Sequence, residues 1–202
     1  MTLIEVAEIV GIISFSLSGF FIAVSSKLDI LGVFIASFLT ALGGGVIRDL
    51  LSERTLYAFS NNLASILVIS VVIIAILFKL QRFTNIEKSA FFMIADTLGL
   101  VSFAISGALV GVEAEFNFFG VILLSLITAV GGGVLRDMLI NKIPMVLVSE
   151  FYGTVAIFVG ILIYVLGAVE MLNFLTIMNV FFVGAALRFF AFYKDWHLPK
   201  IL

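Results

Sequence analysis

Residues 42–49 read LGGGVIRD, and the same pattern returns 88 residues later as VGGGVLRD at residues 130–137. Each triple glycine lies late in an apolar run that otherwise has the length and composition of a membrane-spanning helix. Glycine costs about 1 kcal/mol per residue relative to alanine inside a helix, so three in a row mark a weakened segment. In lipid, weakened backbone is tolerated only where it faces protein or water. The two motifs therefore predict a pathway through a membrane.

The composition is that of an integral membrane protein. Of the 202 residues, 63% are hydrophobic and 12% are charged, and the mean hydropathy is +1.31. At about 20 apolar residues per span, this length leaves no room for a soluble domain. The formal net charge of -2 argues against a nucleic-acid partner, and the lack of cysteine excludes disulfides and thiol chemistry. The N-terminal MTLIE has no basic segment or cleavage site, which predicts a first span and not a removable signal peptide.

The apolar runs predict an all-α integral membrane protein with seven transmembrane helices in a single domain, residues 1–202. Short polar breaks such as SSKLD at residues 25–29 separate the runs, and the weakest breaks lie at 140–145 and 168–171. The seven candidate spans are residues 3–26, 30–52, 60–80, 91–112, 117–140, 145–168 and 171–193.

When successive connections are placed on alternate sides of the bilayer, most basic residues fall on one side. The two motif arginines are left out of this comparison. That side collects Lys27, Lys79, Arg82, Lys88, Lys142, Arg188, Lys194 and Lys200. The other side has Arg54 together with Glu5, Glu8, Glu53, Glu113, Glu115 and Glu170. By the positive-inside rule the basic side is cytoplasmic. We therefore predict a multi-pass protein of the cell inner (plasma) membrane, with the N-terminus outside and the C-terminus in the cytoplasm.

The similarity between the two halves extends beyond the glycines. Residues 15–51 and 103–139 align without gaps and share 16 of 37 positions. Each copy begins a unit of three spans. Because three is an odd number, the second copy must enter the membrane from the opposite face. This is the inverted-topology repeat typical of transport proteins, with the pathway at the interface between the repeats. We place repeat one at about residues 1–84, repeat two at about 89–168, and an unduplicated seventh helix at about 171–193.

The triple glycines have two interpretations. Small residues allow close helix packing in lipid, and this suits isolated glycines better than three in a row. Gly44 lies about 21 Å along its span, which places it slightly to the external side of the bilayer midplane. Inversion of the repeat places Gly132 slightly to the cytoplasmic side. Unwinding there would free carbonyl groups to coordinate a cation and would give each helix a joint. The candidate kink residues are Gly43, Gly44, Gly45, Gly131, Gly132 and Gly133.

The charged motif residues are candidates for the pathway. We expect Arg48 at the outer mouth and Arg136 at the inner mouth, each reaching into the path or binding a broken helix end. The alternative is that both snorkel to lipid headgroups. Adjacent Arg48 and Asp49 lie about 100° apart on a helix, which predicts that they do not face one another. A pair between Arg48 and Asp137 is geometrically poor because the two lie near opposite membrane faces.

Other polar residues within spans also have two interpretations. Pairs of hydroxyl side chains stack on one face of the first span of each repeat, which favours a role in lining the path. Single hydroxyls within a membrane usually donate instead to a carbonyl group of their own helix. Glu8 and Asp96 correspond in the repeat, and an acidic residue at each pore entrance would concentrate cations. Favourable placement near a helix N-terminus explains these two equally well. The candidate hydroxyl residues are Ser14, Ser18, Thr40, Ser102, Ser106 and Thr128.

The duplicated GGGxxRD motif, the 3+3+1 layout and the C-terminal RFFAFYKDWHLP at residues 188–199 resemble the prokaryotic TRIC (trimeric intracellular cation) channels. The resemblance covers essentially the whole chain. It implies a homotrimer with one pore per protomer, lined by the first, second, fourth and fifth spans and kinked at the glycines. It also implies passive conduction of monovalent cations, mainly potassium, with no cofactor other than transported potassium or sodium ions. Arg48, Asp49, Arg136 and Asp137 would hold the hydrogen-bond network around the pore.

Two other functions remain open from the sequence. Bacterial relatives of this kind are also described as glycine transporters, and broken helices suit a small amino acid as well as an ion. A purely structural membrane protein leaves the paired glycines unexplained. Catalysis is not indicated, because the one histidine is His197 in the tail and no nucleophile–base pair or metal cluster is visible. The expected partners are further copies of the chain, membrane lipids and monovalent cations.

Overall fold

The computed structural model describes residues 2–82, 89–148, 151–194 and 196. Within these ranges the chain forms helices and connections without a strand. Lys88, Lys200, His197 and part of the C-terminal motif, which the sequence predictions used, lie outside the described residues. The helices are α1 Leu3–Ser25, α2 Ile30–Leu51, α3 Tyr57–Ser60, α4 Asn62–Leu77, α5 Ala90–Glu113, α6 Phe118–Leu139, α7 Met145–Val148, α8 Tyr152–Ala168 and α9 Phe174–Tyr193, with a 3₁₀ turn Leu80–Arg82 after α4.

Each predicted span contains one long helix. Five of these helices, α1, α2, α5, α6 and α9, are long and apolar enough to cross a membrane. The helices α4 and α8 are apolar but have only 16 and 17 residues. They measure about 24 and 26 Å, somewhat less than a hydrocarbon core of about 30 Å. The all-helical membrane class is confirmed, and the count of seven complete spans stays a prediction.

Polar residues at the breaks set where the glycine helices begin. Asp29 and Asn117, which are equivalent in the repeat, cap α2 and α6. Their side-chain oxygens accept hydrogen bonds from Gly32 N at 2.7 Å and Gly120 N at 2.9 Å. Each cap satisfies a backbone N–H that the first helical turn leaves without an intrahelical partner. The same capping chemistry therefore starts the same helix in both halves.

The first helices of the two halves, α1 and α5, pack against each other at the centre of the protein. Their contact is reciprocal: Phe15 of α1 lies over Gly99 of α5, and Phe103 of α5 lies over Gly11 of α1. The two phenylalanine rings also contact one another, with centroids 5.4 Å apart. Because each pair is the 88-residue equivalent of the other, the two halves meet about a local two-fold axis.

The second helices, α2 and α6, cross at the triple glycines. A Cβ on Gly44 would overlap the carbonyl oxygen of Thr128, and a Cβ on Gly132 would overlap the carbonyl oxygen of Thr40. The two backbones are therefore closer than any side chain would allow. The sequence interpretation expected such close packing mainly at isolated glycines. The structure shows it at the triplets.

The structure shows no unwinding at the motifs. Both α2 and α6 are continuous α-helices through residues 43–45 and 131–133. No described glycine has a positive φ. The expectation of freed carbonyl groups at the glycines is therefore wrong for this conformation, because the helical hydrogen bonds persist while the missing side chains admit the neighbouring helix. A kink that opens during function stays a prediction.

A short helix that the sequence interpretation missed follows each glycine helix. It is α3, Tyr57–Ser60, in the first half and α7, Met145–Val148, in the second. The residues just before them differ, with Leu56 in one half and Pro144 in the other. The local structure nevertheless repeats, so the exit turns of the two halves are equivalent.

Candidate functional site

The first buried polar group, here the Arg48 cluster, consists of Glu8, Arg48, Asp49 and Ser106. The Arg48 side chain reaches from α2 to both central helices. Its Nη1 lies 2.5 Å from Glu8 Oε1 on α1 and donates a 2.5 Å hydrogen bond to Ser106 Oγ on α5. Both charged side chains of this pair are only 3–4% exposed. Arg48 therefore does not snorkel to headgroups but joins three helices inside the protein.

Asp49 accepts hydrogen bonds from the neighbouring Arg48. Nε and Nη2 of Arg48 donate to Asp49 Oδ1 at 2.9 and 2.6 Å. The sequence expectation that adjacent Arg and Asp cannot face one another is wrong, because the long arginine side chain folds back across the helix surface. The second carboxylate oxygen, Oδ2, accepts from Tyr57 N at 2.9 Å and so fixes the start of α3.

The second group, here the Arg136 cluster, consists of Asp96, Arg136, Asp137, Tyr152 and Arg188. Arg136 Nε donates to Asp137 Oδ1 at 2.8 Å, and Asp137 Oδ2 accepts from Met145 N at 3.0 Å. These contacts repeat those of the first half. Asp96 differs from its equivalent Glu8, because its Oδ1 accepts from Ser18 Oγ at 2.9 Å and from Tyr152 OH at 3.3 Å.

Arg188 lies inside the protein and not in a cytoplasmic connection, which corrects the sequence-based sorting. It belongs to α9 and is 1% exposed. Its guanidinium carbon lies 5.0 Å from the centroid of the Tyr152 ring, within the range of a cation–π contact. The sequence carried one signal for this, since an arginine within an apolar run is expected to face the bundle interior.

The two clusters differ in their numbers of buried carboxylates and guanidinium groups. Among the described residues, the Arg48 cluster has two carboxylates and one guanidinium group, whereas the Arg136 cluster has two of each. Glu8 and Asp96 were expected at pore entrances, but both are buried and hydrogen-bonded to other helices. Neither lies at an open entrance in this conformation, and a role there stays a prediction.

The remaining candidates make local contacts. Thr40 and Thr128 donate to the carbonyl oxygens of Ala36 and Leu124 on their own helices, both at 2.6 Å. This is the back-bonding alternative, which the structure therefore favours for the threonines. Ser14 and Ser102 are also buried, and Ser102 Oγ has no hydrogen-bond partner among the described residues. The structure does not bring these four hydroxyls together with either arginine.

One exposed ion pair supports the prediction that the ends of α2 and α5 lie on the same side of the membrane. Arg54, after α2, donates from Nη1 to Glu113 Oε2 at the end of α5 at 2.8 Å. The sequence places both residues on the same, external side. The two helix ends do lie together, although their orientation in a membrane stays a prediction.

The cavities beside the two clusters are small. The one bordered by Arg48 and Gly45 and the one bordered by Arg136 and Gly133 each have a volume of about 10 Å³. This is about the room that a single water needs. A groove of about 410 Å³ lies outside the glycine crossing and has an apolar lining that includes Phe38, Leu42 and Phe59. In this conformation the arginine clusters are closed to hydrated cations.

Tyr152→Phe tests the hydrogen bond between α8 and Asp96. Phenylalanine keeps the ring under Arg188 and removes the donor, so we expect a loss of about 1 kcal/mol in unfolding free energy. Thermal denaturation in detergent measures it. Tyr164→Phe is the control on the same helix, because its ring packs on Phe118. Equal stabilities of the two variants would show that the bond to Asp96 contributes nothing.

The sequence interpretation selected the charged residues of both clusters except Arg188, and it also missed two kinds of partner. The backbone N–H groups of Tyr57 and Met145 lie eight residues after their aspartates and leave no side-chain signature. Tyr152 was not among the candidates, and a tyrosine in an apolar run has no sequence signal that separates it from ordinary core composition. Its role follows only from the neighbouring Asp96.

Comparison with known proteins adds a family and relatives. The family model described as Glycine transporter matches residues 5–80 and 93–168, one segment in each half of the chain. The UPF0126 membrane protein YvgT of Bacillus subtilis (strain 168) is 32% identical over 97% of this chain and 95% of its own length. Both matches extend well beyond the glycine motifs.

Two solved channels have the same fold. One, from work on the structural basis for conductance through TRIC cation channels, has a TM-score of 0.87 and 30% identity, covering 98% of this chain and 97% of its own. The other, a prokaryotic TRIC channel crystallised in 0.5 M KCl, has a TM-score of 0.86 and 31% identity, covering 96% and 98%. The helix arrangement described above is thus shared over nearly the entire length of these proteins.

Proposed function

The chain belongs to the prokaryotic TRIC channel family, matched by the model described as Glycine transporter, and on that premise we propose that it is a passive channel for monovalent cations, mainly potassium. The path runs between α1, α2, α5 and α6 of each protomer. The observation that carries the proposal is the buried charge at the Arg48 cluster, where two carboxylates face one guanidinium group.

An excess of buried carboxylate favours cations over anions. Glu8 and Asp49 lie on different helices and share the cation Arg48. A permeating cation that approaches them gains attraction in a region of low dielectric constant, and an anion is repelled. Opening requires α2 and α6 to move apart or bend, because the present cavities hold about one water each. The triple glycines are the segments with the least resistance to such bending.

The assembly and orientation follow the same proposal. The functional unit is a homotrimer in the cell inner membrane, in contact with lipids and with one pore per protomer. The N-terminus lies outside and the C-terminus in the cytoplasm. This orientation puts the Arg54–Glu113 pair on the external side and Lys27, Lys79 and Lys194 on the other. The support is the basic asymmetry of the connections.

Reconstitution in planar bilayers tests the function. We expect unitary potassium currents that follow the electrochemical gradient and need no second substrate. Silent bilayers together with saturable uptake of labelled glycine into proteoliposomes would instead establish a carrier. That second function is favoured by the description of the matching family model, which covers both halves of the chain.

Variants of the second motif test the involvement of the arginine clusters. Asp137→Asn keeps an oxygen for Met145 N but removes the carboxylate that pairs with Arg136, and Arg136→Ala removes the cation. We expect each to change unitary potassium conductance at least about twofold, because the local charge changes by one unit. Arg54→Gln is the control, because its ion pair is exposed and contributes under about 1 kcal/mol. Unchanged conductance and assembly in both motif variants would contradict a role in the pathway.

A further inference from the structure

The two arginine clusters occupy equivalent places in the repeat but hold different bonds. In the first half, Arg48 Nη1 contacts both Glu8 on α1 and Ser106 on α5. The residues at the equivalent positions of the second half are Arg136, Asp96 and Ser18. Repetition of the first arrangement would place Arg136 Nη1 against both of them.

The second half does not repeat that arrangement. Ser18 Oγ donates to Asp96 Oδ1 at 2.9 Å, and the described residues contain no ion pair between Asp96 and Arg136. Arg136 Nη1 is buried and has no hydrogen-bond partner in the described part of the chain. Apart from a 4.0 Å contact of Nη2 with Met145 Sδ, the one bonding partner of Arg136 among the described residues is Asp137, its neighbour on α6.

The side-chain lengths explain the difference. Glutamate at position 8 is one methylene group longer than aspartate at position 96. The longer side chain extends from α1 to the guanidinium group of Arg48, whereas Asp96 stays within reach of Ser18 and Tyr152. The arginine of the first half thus ties three helices together, and that of the second half is bonded within α6 and to the start of α7.

We propose that the one-methylene difference between Glu8 and Asp96 makes the pathway sided, so that the Arg48 end is held shut and the Arg136 end opens more readily. Glu8 and Asp96 are then positioning residues that act through the arginines. Opening the Arg48 end requires Arg48 to leave a buried carboxylate on another helix, which is costly. The described residues contain no inter-helix ion pair of Arg136 that a movement of α6 would break. The proposal rests on the pathway proposed above but not on which solute uses it.

Single cysteines at the third glycines report on each end. The chain has no cysteine of its own. An added Cβ at Gly45 would lie 3.9 Å from Arg48 Nη2 and one at Gly133 would lie 3.7 Å from Arg136 Nη2, which are ordinary contacts. The rate at which a cationic methanethiosulfonate reagent modifies detergent-solubilised protein measures how often water reaches each site. We expect Gly133→Cys to react at least about tenfold faster than Gly45→Cys.

Exchanging the two acidic residues is the decisive step. Glu8→Asp should raise the modification rate at position 45, Asp96→Glu should lower it at position 133, and the double exchange should reverse the order. Loss of side-chain packing alone would not produce this reversal. Glu113→Asp is the control, because Glu113 is an exposed acid at the end of α5. Equal rates at the two sites, or rates unaffected by the exchange, would overturn the proposal.

The rates of cysteine modification do not depend on which solute the protein transports. Silent bilayers combined with the expected order of rates would support the sidedness while contradicting the channel. Potassium currents combined with equal rates would support the channel and overturn the sidedness. If the double exchange fails to assemble, the comparison of Gly45→Cys with Gly133→Cys in the native background decides the matter, and equal rates there contradict the proposal.

Discussion

Gly44→Ala should prevent the protein from folding normally. The new methyl group would overlap the Thr128 carbonyl oxygen, which belongs to the backbone of α6 and cannot rotate away. Overpacking typically costs about 1–3 kcal/mol, and a backbone overlap lies at or above the upper end of that range. Gly132→Ala should behave alike, because its methyl group would overlap the Thr40 carbonyl oxygen. Thermostability in detergent, followed by size-exclusion chromatography, measures both.

Gly45→Ala is the matched control, since it makes the same chemical change one residue later. Among the described residues, its Cβ would meet only Arg48 Nη2, at 3.9 Å. Removing a glycine from a helix interior stabilises the helix by up to about 1 kcal/mol, so this variant should be as stable as the native protein or more so. Equal loss of stability in Gly44→Ala and Gly45→Ala would contradict the helix crossing. Lost conduction in a stable Gly45→Ala variant would support a functional kink.

Arg48→Met should cost about 3–5 kcal/mol of unfolding free energy. The change leaves the carboxylates of Glu8 and Asp49 buried without their shared cation, and removal of one partner from a buried ion pair is strongly destabilising. It also removes the donor to Ser106 that ties α2 to α5. Thermal and denaturant unfolding in detergent give the size of the effect.

Glu8→Gln separates charge from packing in this cluster. It leaves Arg48 paired with Asp49, so its cost should be less than half that of Arg48→Met. The double variant Glu8→Gln/Arg48→Met buries one unpaired carboxylate where Arg48→Met buries two, and it should therefore be more stable than Arg48→Met alone. A cost of Arg48→Met no larger than that of Glu8→Gln would contradict the assignment of Arg48 as the shared cation.

The long helices could be predicted from the sequence because lipid imposes a simple condition on them. Runs of apolar residues must form helices of nearly fixed length, and polar residues such as Asp29 and Asn117 mark their starts. The short helices α3 and α7 could not be predicted in this way. Each depends on an aspartate eight residues earlier that accepts a hydrogen bond from its first backbone N–H.

Most charged residues of the site were also identifiable, but their partners were not. The motif repeats Arg48 and Arg136 in apolar surroundings, where buried charge needs a partner. Which residue provides it depends on distances between helices that are far apart in the chain. Glu8 meets Arg48 across 40 positions of sequence. The sequence interpretation therefore placed Glu8 at an entrance and Arg188 in a connection, and the structure places both in buried contacts.

The sequence by itself determined the membrane class, the positions of the long helices and the duplication of the motif. All three depend on local composition and on similarity along the chain, which need no knowledge of neighbouring helices. Only the tertiary structure decided what the glycines do, because the carbonyl oxygens that a Cβ on Gly44 or Gly132 would meet belong to the other half. It also decided that the two halves are unequal. A difference of one methylene group matters only once the distance to the arginine is set by packing.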